Sequence, residues 1–192
     1  MDLPEYISID GVKVKIHTDY RDAIKCQEIM NDKNISNIEK AIGIIYTIFD
    51  VGNINISDNY ERWLKAALKY LSAYSTNKHI DNKPMKIDMD YIKDWDLIVA
   101  SMWRTYGIDI NKEKIHWWTF YSLLNGLPSD CILNQVRDIR TRDISKEKDR
   151  EVREKIIELK KVYSLEEDKK LTLEQAESVK RFYELAGIER KE

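Results

Sequence analysis

The sequence predicts a mainly α-helical protein that begins with a β-hairpin, continues through about seven helices and ends in a charged helical extension. Apolar residues recur at steps of three and four along most of the 192-residue chain, which is the period of an α-helix. Residues 6–16 instead alternate in side-chain type around Asp10-Gly11, as hairpin strands do. Twelve of the sixteen residues 146–161 are charged. We expect the helices to pack around a central pair that is rich in tryptophan.

Composition limits the classes of function. With 32 basic and 34 acidic residues, the formal net charge is −2, which is not typical of a general nucleic-acid binder or a membrane-surface protein. No apolar run reaches the roughly eighteen residues of a membrane-spanning helix, and the acidic N-terminus lacks the features of a signal peptide. Cys26 and Cys131 fit two reduced thiols in a cytosol, although a disulfide between them is a second possibility. We therefore expect a cytosolic protein.

Turn and capping signals mark the elements of the first third of the chain. Asp10-Gly11 favours a two-residue hairpin turn, because both central residues of that turn need positive φ. Thr18 and Asp19 can cap the first helix, and Ser36 with Glu39 forms a capping box at the start of the second. The second helix is predicted to bury Ile38, Ala41, Ile42, Ile45, Ile48 and Phe49.

Asp58 and Glu61 begin a third helix, with an apolar face of Tyr60, Trp63, Leu64, Ala67, Leu71 and Tyr74. The polar residues 75–86 are predicted to form a flexible loop.

Residues 92–128 contain four of the five tryptophans and predict the central helix pair. The first helix has one apolar stripe of Ile92, Trp95, Val99, Met102 and Tyr106, and Gly107 can end it in a left-handed turn. The second helix is apolar on more than one side, which is typical of a helix buried among several neighbours. Gly126 and Pro128 end this second helix. The structural core is predicted to include Trp95, Trp103, Trp117, Trp118, Phe120 and Leu124.

Candidate chemical sites are weak. His116 has Glu113 one helical turn before it, but no further Cys or His stands at helical spacing to complete a metal site. The acidic residues Asp88, Asp90, Asp94 and Asp96 lack the glycine and the final bidentate Glu of a calcium loop, and acids at a helix start also suit its dipole. No phosphate-binding loop or hydrolase motif is present. We predict no catalytic, cofactor-binding or metal-binding residues and a non-enzymatic protein.

Partner binding is predicted at the end of the chain. Arg137, Arg140 and Arg142 are expected to lie on a surface beside the charged helix, where they contact an acidic partner or neighbouring carboxylates. The charged helix has a narrow apolar seam of Val152, Ile156, Leu159 and Tyr163. This seam is either one edge of a solvated helix that rests on the domain or a docking site for a partner helix.

We expect a domain of residues 1–143 and a helical appendage of residues 144–192, which the domain does not need in order to fold. The last predicted helix, residues 173–186, could cover the seam with Val179, Phe182 and Tyr183, or could dock on a second subunit or on a partner.

Several strings resemble the signature of a bacteriophage and prophage family, named for the gene-product-fifteen protein of a Listeria phage. The most specific string is His116-Trp117-Trp118, followed by Leu123-Leu124 and Gly126-Leu127-Pro128. Tyr106-Gly107-Ile108-Asp109-Ile110 before it and Arg142-Asp143-Ile144-Ser145-Lys146 after it are also similar to the family pattern, as is the opening hairpin with Thr18-Asp19-Tyr20-Arg21. The resemblance covers roughly residues 3–163.

The resemblance implies a gene in the tail module of long-tailed phages of Gram-positive hosts, close to the tape measure gene. It therefore implies a tail assembly chaperone that binds the tape measure protein, and other tail assembly proteins, in the host bacterial cytoplasm. Self-association is a further possibility, membrane partners are not expected and nucleic acid is an improbable partner. The alternatives are a structural tail protein of the virion (a terminator, tube-associated or joining protein) and, third, a nucleic-acid-binding regulatory protein.

Overall fold

A computed structural model describes residues 3–52, 56, 59–73 and 87–165. The described residues form strands β1 (Tyr6–Ile9), β2 (Val12–Ile16) and β3 (Phe49–Asp50) and helices α1 (Tyr20–Asn31), α2 (Asn37–Ile48), α3 (Tyr60–Leu71), α4 (Trp95–Tyr106), α5 (Trp117–Asn125), α6 (Ile132–Thr141) and α7 (Arg150–Val162). A 3-10 turn, Ile144–Lys146, precedes α7. The predicted fold class, mainly helical with an N-terminal hairpin, is confirmed. Asp58, Tyr74, the predicted loop 75–86 and the predicted helix 173–186 lie outside the described residues.

The described residues belong to two compact units. The first contains residues 3–52, 56, 59–73 and 114–121, and the second contains residues 87–113 and 122–165. The predicted division of the chain between residues 143 and 144 falls inside the second unit, where α7 packs against α6. Whether residues 144–192 can be removed without unfolding the rest stays a prediction.

A small antiparallel sheet opens the first unit. Asp10 and Gly11 take φ values of 50° and 82°, so the predicted hairpin turn forms and pairs Ile9 with Val12. Strand β3 was not predicted; in this strand Phe49 pairs with Ile16 of β2 instead of continuing α2. Val14 and Ile16 are buried, so one face of β2 joins the core of this unit.

Three helices, α1, α2 and α3, pack in sequence in the first unit. The predicted capping box of α2 is present: the Glu39 backbone N–H donates to Ser36 Oγ over 3.3 Å, and the Ser36 N–H donates to Glu39 Oε2 over 2.7 Å. The buried face of α2 consists of Ala41, Ile44, Ile45 and Ile48. The prediction that Ile38 and Ile42 are buried was wrong, since their exposed fractions are 54% and 39%.

Helix α4 belongs to the second unit and packs against α6. Gly107 ends α4 with a φ of 67°, as its position in the sequence predicted. The buried side of α4 is Ile98, Ser101 and Met102, with Asp94 buried just before the helix. The buried side of α4 is therefore rotated about the helix axis relative to the predicted apolar stripe. Ile92, the first residue of that stripe, is 52% exposed.

Candidate interaction surface

The start of α5 is held in the first unit by backbone hydrogen bonds. The Tyr20 N–H donates to the Ile115 carbonyl over 3.0 Å, and the Trp117 N–H donates to the Thr18 carbonyl over 2.7 Å. These bonds place the first turn of α5 beside the first turn of α1. The sequence string His116-Trp117-Trp118 therefore enters the core of the first unit in a fixed register.

Trp117 and Trp118 contact the end of α3 through their indole nitrogens. Trp117 Nε1 donates to the Leu71 carbonyl and Trp118 Nε1 to the Tyr70 carbonyl, each over 2.9 Å. Trp117 is 5% exposed and Trp118 is half-buried. A buried indole N–H needs an acceptor, and α3 has carbonyls available there because the last carbonyls of a helix have no partner within it. Both tryptophans therefore pack within the first unit and also satisfy carbonyl groups at the end of α3.

His116 has a structural role, because its ring nitrogens bind backbone groups. Its Nδ1 accepts the Trp118 backbone N–H over 3.0 Å, so its Nε2 is the nitrogen that donates, over 3.1 Å, to the Pro4 carbonyl. Both ring nitrogens are therefore used by the backbone. Among the described residues, no group of three or more His, Cys, Asp or Glu side chains is arranged to hold a metal ion.

The predicted core residues differ in how deeply they are buried. Phe120 is fully buried and stacks on Tyr20 with ring centroids 4.4 Å apart, and Leu124, in the second unit, is 3% exposed. Trp95 is half-buried, and its Nε1 donates to Asn111 Oδ1 over 3.2 Å. Trp103 is 59% exposed, so its assignment to the core was wrong. It lies on the side of α4 opposite the one that Ile98 and Ser101 bury.

Arg140 is an internal connection rather than a surface residue. Its guanidinium binds both carboxylate oxygens of Asp94, over 2.6 and 2.7 Å, and the two side chains are only 10% and 3% exposed. Its remaining donors reach the Asp88 carbonyl over 2.9 Å and the Tyr163 carbonyl over 2.7 Å. The expected contact with neighbouring carboxylates is present, whereas the expected exposed position was wrong. Arg140 joins α6 to the start of α4 and the end of α7.

Of the other two arginines, Arg142 is exposed and Arg137 is half-buried, and each lies beside a carboxylate. Arg137 Nη2 lies 2.8 Å from Asp88 Oδ2, and Arg142 pairs with Asp138 one helical turn earlier. Both arginines line a surface groove of about 760 Å³, together with Asp88, Leu127, Ser129, Asn134, Gln135, Asp138, Ile139 and Thr141. Because acids balance the guanidinium groups, the groove has little net positive charge to offer to phosphate.

The seam of α7 faces mostly inward. Ile156 is 5% exposed and Leu159 and Tyr163 are half-buried, whereas Val152 is 42% exposed. Lys160 Nζ also donates to the Arg140 carbonyl over 2.8 Å. This arrangement matches the interpretation of a solvated helix that rests one edge on its own unit. Ile156 is not accessible to a partner while α7 is in place, and partner binding by the other seam residues stays a prediction.

Burial changes the acid–base chemistry inside the first unit. It raises the pKa of the Cys26 thiol from 9.0 to about 12, with a further contribution from the Asp22 carboxylate. Burial likewise raises the pKa of Tyr70, and the Tyr70 hydroxyl has no hydrogen-bond partner among the described residues. A thiol with a raised pKa is a poor nucleophile, so the geometry gives Cys26 a packing role.

One apolar side of α2 faces solvent, which was not predicted from the sequence. Ile38, Ile42 and Tyr46 are exposed by 54%, 39% and 53% and lie one helical turn apart on the solvent-facing side of the helix. Their spacing is visible in the sequence, but α2 has apolar residues on most sides, so periodicity alone could not say which of them face solvent. Among the described helices, none has the length and apolarity that a membrane crossing requires.

Comparison with known proteins identifies the family. The family model described as Bacteriophage Gp15 protein matches residues 1–165. Searches of curated proteins and of solved structures give no match. The matched region includes every described residue, from the hairpin to the end of α7. This chain belongs to the bacteriophage Gp15 protein family.

Proposed function

We propose that this phage protein is a non-enzymatic tail assembly chaperone, which binds the tape measure protein in the host bacterial cytoplasm and leaves before the particle is complete. Family membership supports a phage role. The resemblance to a family encoded beside the tape measure gene supports this particular role. A tape measure protein is a very long helical chain, and exposed apolar stripes on such a helix aggregate unless another protein covers them.

The observation that carries the proposal is the exposed stripe of Ile38, Ile42 and Tyr46 on α2. Residues four apart form a continuous ridge on a helix, and eight residues span about 12 Å at 1.5 Å per residue. A ridge of this kind packs into the groove between side chains of a second helix. The stripe therefore suits an amphipathic helical partner, which is the recognition mode that a tape measure helix requires.

The first test is a pull-down of purified fragments of the phage's own tape measure protein. Ile42→Glu with Tyr46→Glu should weaken capture at least about tenfold, since charges on the stripe would have to be buried in the complex. The matched control is Val162→Glu on α7, a residue that is 69% exposed. Equal capture by wild type, stripe variant and control would contradict binding through α2. Absence of any capture would contradict the chaperone itself.

The second test is mass spectrometry of purified mature particles. A chaperone that leaves during assembly should be absent from them. A stoichiometric amount of this chain in mature particles would instead identify a structural tail protein, such as a terminator, tube-associated or joining protein. Steeply salt-dependent DNA binding would favour the regulatory alternative, which the paired state of Arg137, Arg140 and Arg142 does not support.

A further inference from the structure

The solvent-facing side of α4 has the composition of a contact surface. Asp96, Ala100, Trp103 and Arg104 all lie on this side and are all exposed. Trp103 is 59% exposed, and Ile92 just before the helix is 52% exposed. Tryptophan and arginine are the residue types most enriched among the energetically important residues of protein interfaces. No side-chain hydrogen bond or ring contact with the described residues accounts for the position of Trp103, so its exposure points to a partner.

The charges on this face are symmetric about Ala100. Asp96 lies four residues before Ala100 and Arg104 lies four residues after it. Neither the Asp96 carboxylate nor the Arg104 guanidinium has an ion-pair or hydrogen-bond partner among the described residues. The face therefore presents one unpaired acid and one unpaired base, at equal distances from a residue with a very small side chain.

We propose that this face is the contact between two copies of the chain, packed antiparallel about a two-fold axis at Ala100. The two-fold axis places Asp96 of each copy opposite Arg104 of the other, which gives two identical ion pairs. A two-fold interface uses the same patch on both subunits, so such a patch must be self-complementary. The alanine at the crossing point lets the two helices approach closely, and Trp103 then covers Val99 and Ala100 of the second copy.

The expected dimer is weak. One helix face buries less than the roughly 800 Å² per partner that standard protein interfaces bury, so we expect a dissociation constant in the micromolar range or weaker. Exposed ion pairs add little affinity, but like charges placed opposite one another prevent the wrong arrangement. The charges thus fix the antiparallel register, while Trp103 supplies most of the buried area. This inference does not depend on binding to the tape measure protein.

A charge-swap series on the full chain, followed by sedimentation velocity over concentrations that bracket the micromolar range, tests the proposal. Asp96→Arg alone and Arg104→Asp alone should each weaken self-association at least about tenfold, because each puts like charges opposite one another. The double variant with both changes should restore it. A mixture of the two single variants should also form dimers, since every pair in that mixture is again of opposite charge.

The matched control is Glu61→Arg on α3, because Glu61 is also an exposed acid at the second position of its helix. It should dimerise like wild type, and circular dichroism should be unchanged for every variant. A wild-type chain that stays monomeric throughout the concentration series would overturn the proposal. So would single swaps that leave dimerisation intact, or a double swap that fails to restore it.

Discussion

Helices α4 and α5 both carry two tryptophans, but they use them in opposite ways. In α5, Trp117 and Trp118 donate hydrogen bonds to the end of α3, and Trp117 is almost completely buried. In α4, Trp95 is half-buried, and the ring of Trp103 is mostly in solvent. Both helices are short, with 12 residues in α4 and 9 in α5, and both show apolar residues at helical spacing. Spacing therefore does not decide which tryptophan belongs to the core.

Polar partners decide which side of α4 is buried. Asp94 is drawn into the interior by Arg140, and Ser101 Oγ accepts the Leu133 backbone N–H over 3.3 Å. These two polar anchors lie on the same side of the helix as Ile98, so that side turns inward and Trp103 turns outward. In α5 the tryptophans can face inward, because their indole N–H groups find acceptors in the core. Buried hydrogen bonds can thus outweigh the most apolar stripe in deciding which side of a helix faces the core.

The largest effect is expected for the core tryptophan. Trp117→Ala should lower the free energy of unfolding by about 3–5 kcal/mol, the usual cost of removing a large aromatic side chain from a core. The cause is the lost packing on Phe120, whose ring centroid lies 6.0 Å away, and the lost hydrogen bond to Leu71. Urea unfolding followed by circular dichroism measures this loss. A variant with wild-type stability would show that α5 is not a core element.

A comparable loss is expected when the polar anchor of α4 is removed. Arg140→Ala should cost about 3–5 kcal/mol, because it leaves the buried Asp94 carboxylate without its partner. The matched control is Arg142→Ala, which removes a surface pair with Asp138 and should change stability by less than about 0.5 kcal/mol. Urea unfolding of both variants gives the comparison. Equal stabilities would mean that the Arg140–Asp94 pair does not hold α4 in its orientation.

A smaller, pH-dependent effect is expected from the interior of the first unit. The pKa of Cys26 is raised by burial to about 12, so the thiol favours folding below its ordinary pKa of 9.0, and this contribution is lost as the pH rises toward 12. From about pH 8 to about pH 10, the wild type should lose about 1.4 kcal/mol more stability than Cys26→Ala. Urea unfolding at the two pH values measures the difference. Parallel losses in the two proteins would rule out Cys26 as the cause.

Local signals in the sequence predicted some of the element boundaries. Asp10-Gly11 fixed the hairpin, Ser36 with Glu39 fixed the start of α2, and Gly107 fixed the end of α4, because each acts through its own backbone or a neighbour a few residues away. Three features could not be found in this way. The Asp94–Arg140 pair joins residues 46 positions apart. Likewise, the pairing of Phe49 with Ile16 and the exposure of Trp103 depend on what the folded chain places nearby.

The measurement that tests the contrast between the two helices most directly is the stability of Trp103→Ala. At protein concentrations low enough to keep the chain monomeric, urea unfolding of this variant should give a free energy within about 0.5 kcal/mol of wild type, as surface substitutions usually do. Its circular dichroism spectrum should also match that of the wild type. A loss of several kcal/mol, similar to that expected for Trp117→Ala, would contradict the conclusion that α4 presents its tryptophan to solvent while α5 buries its own.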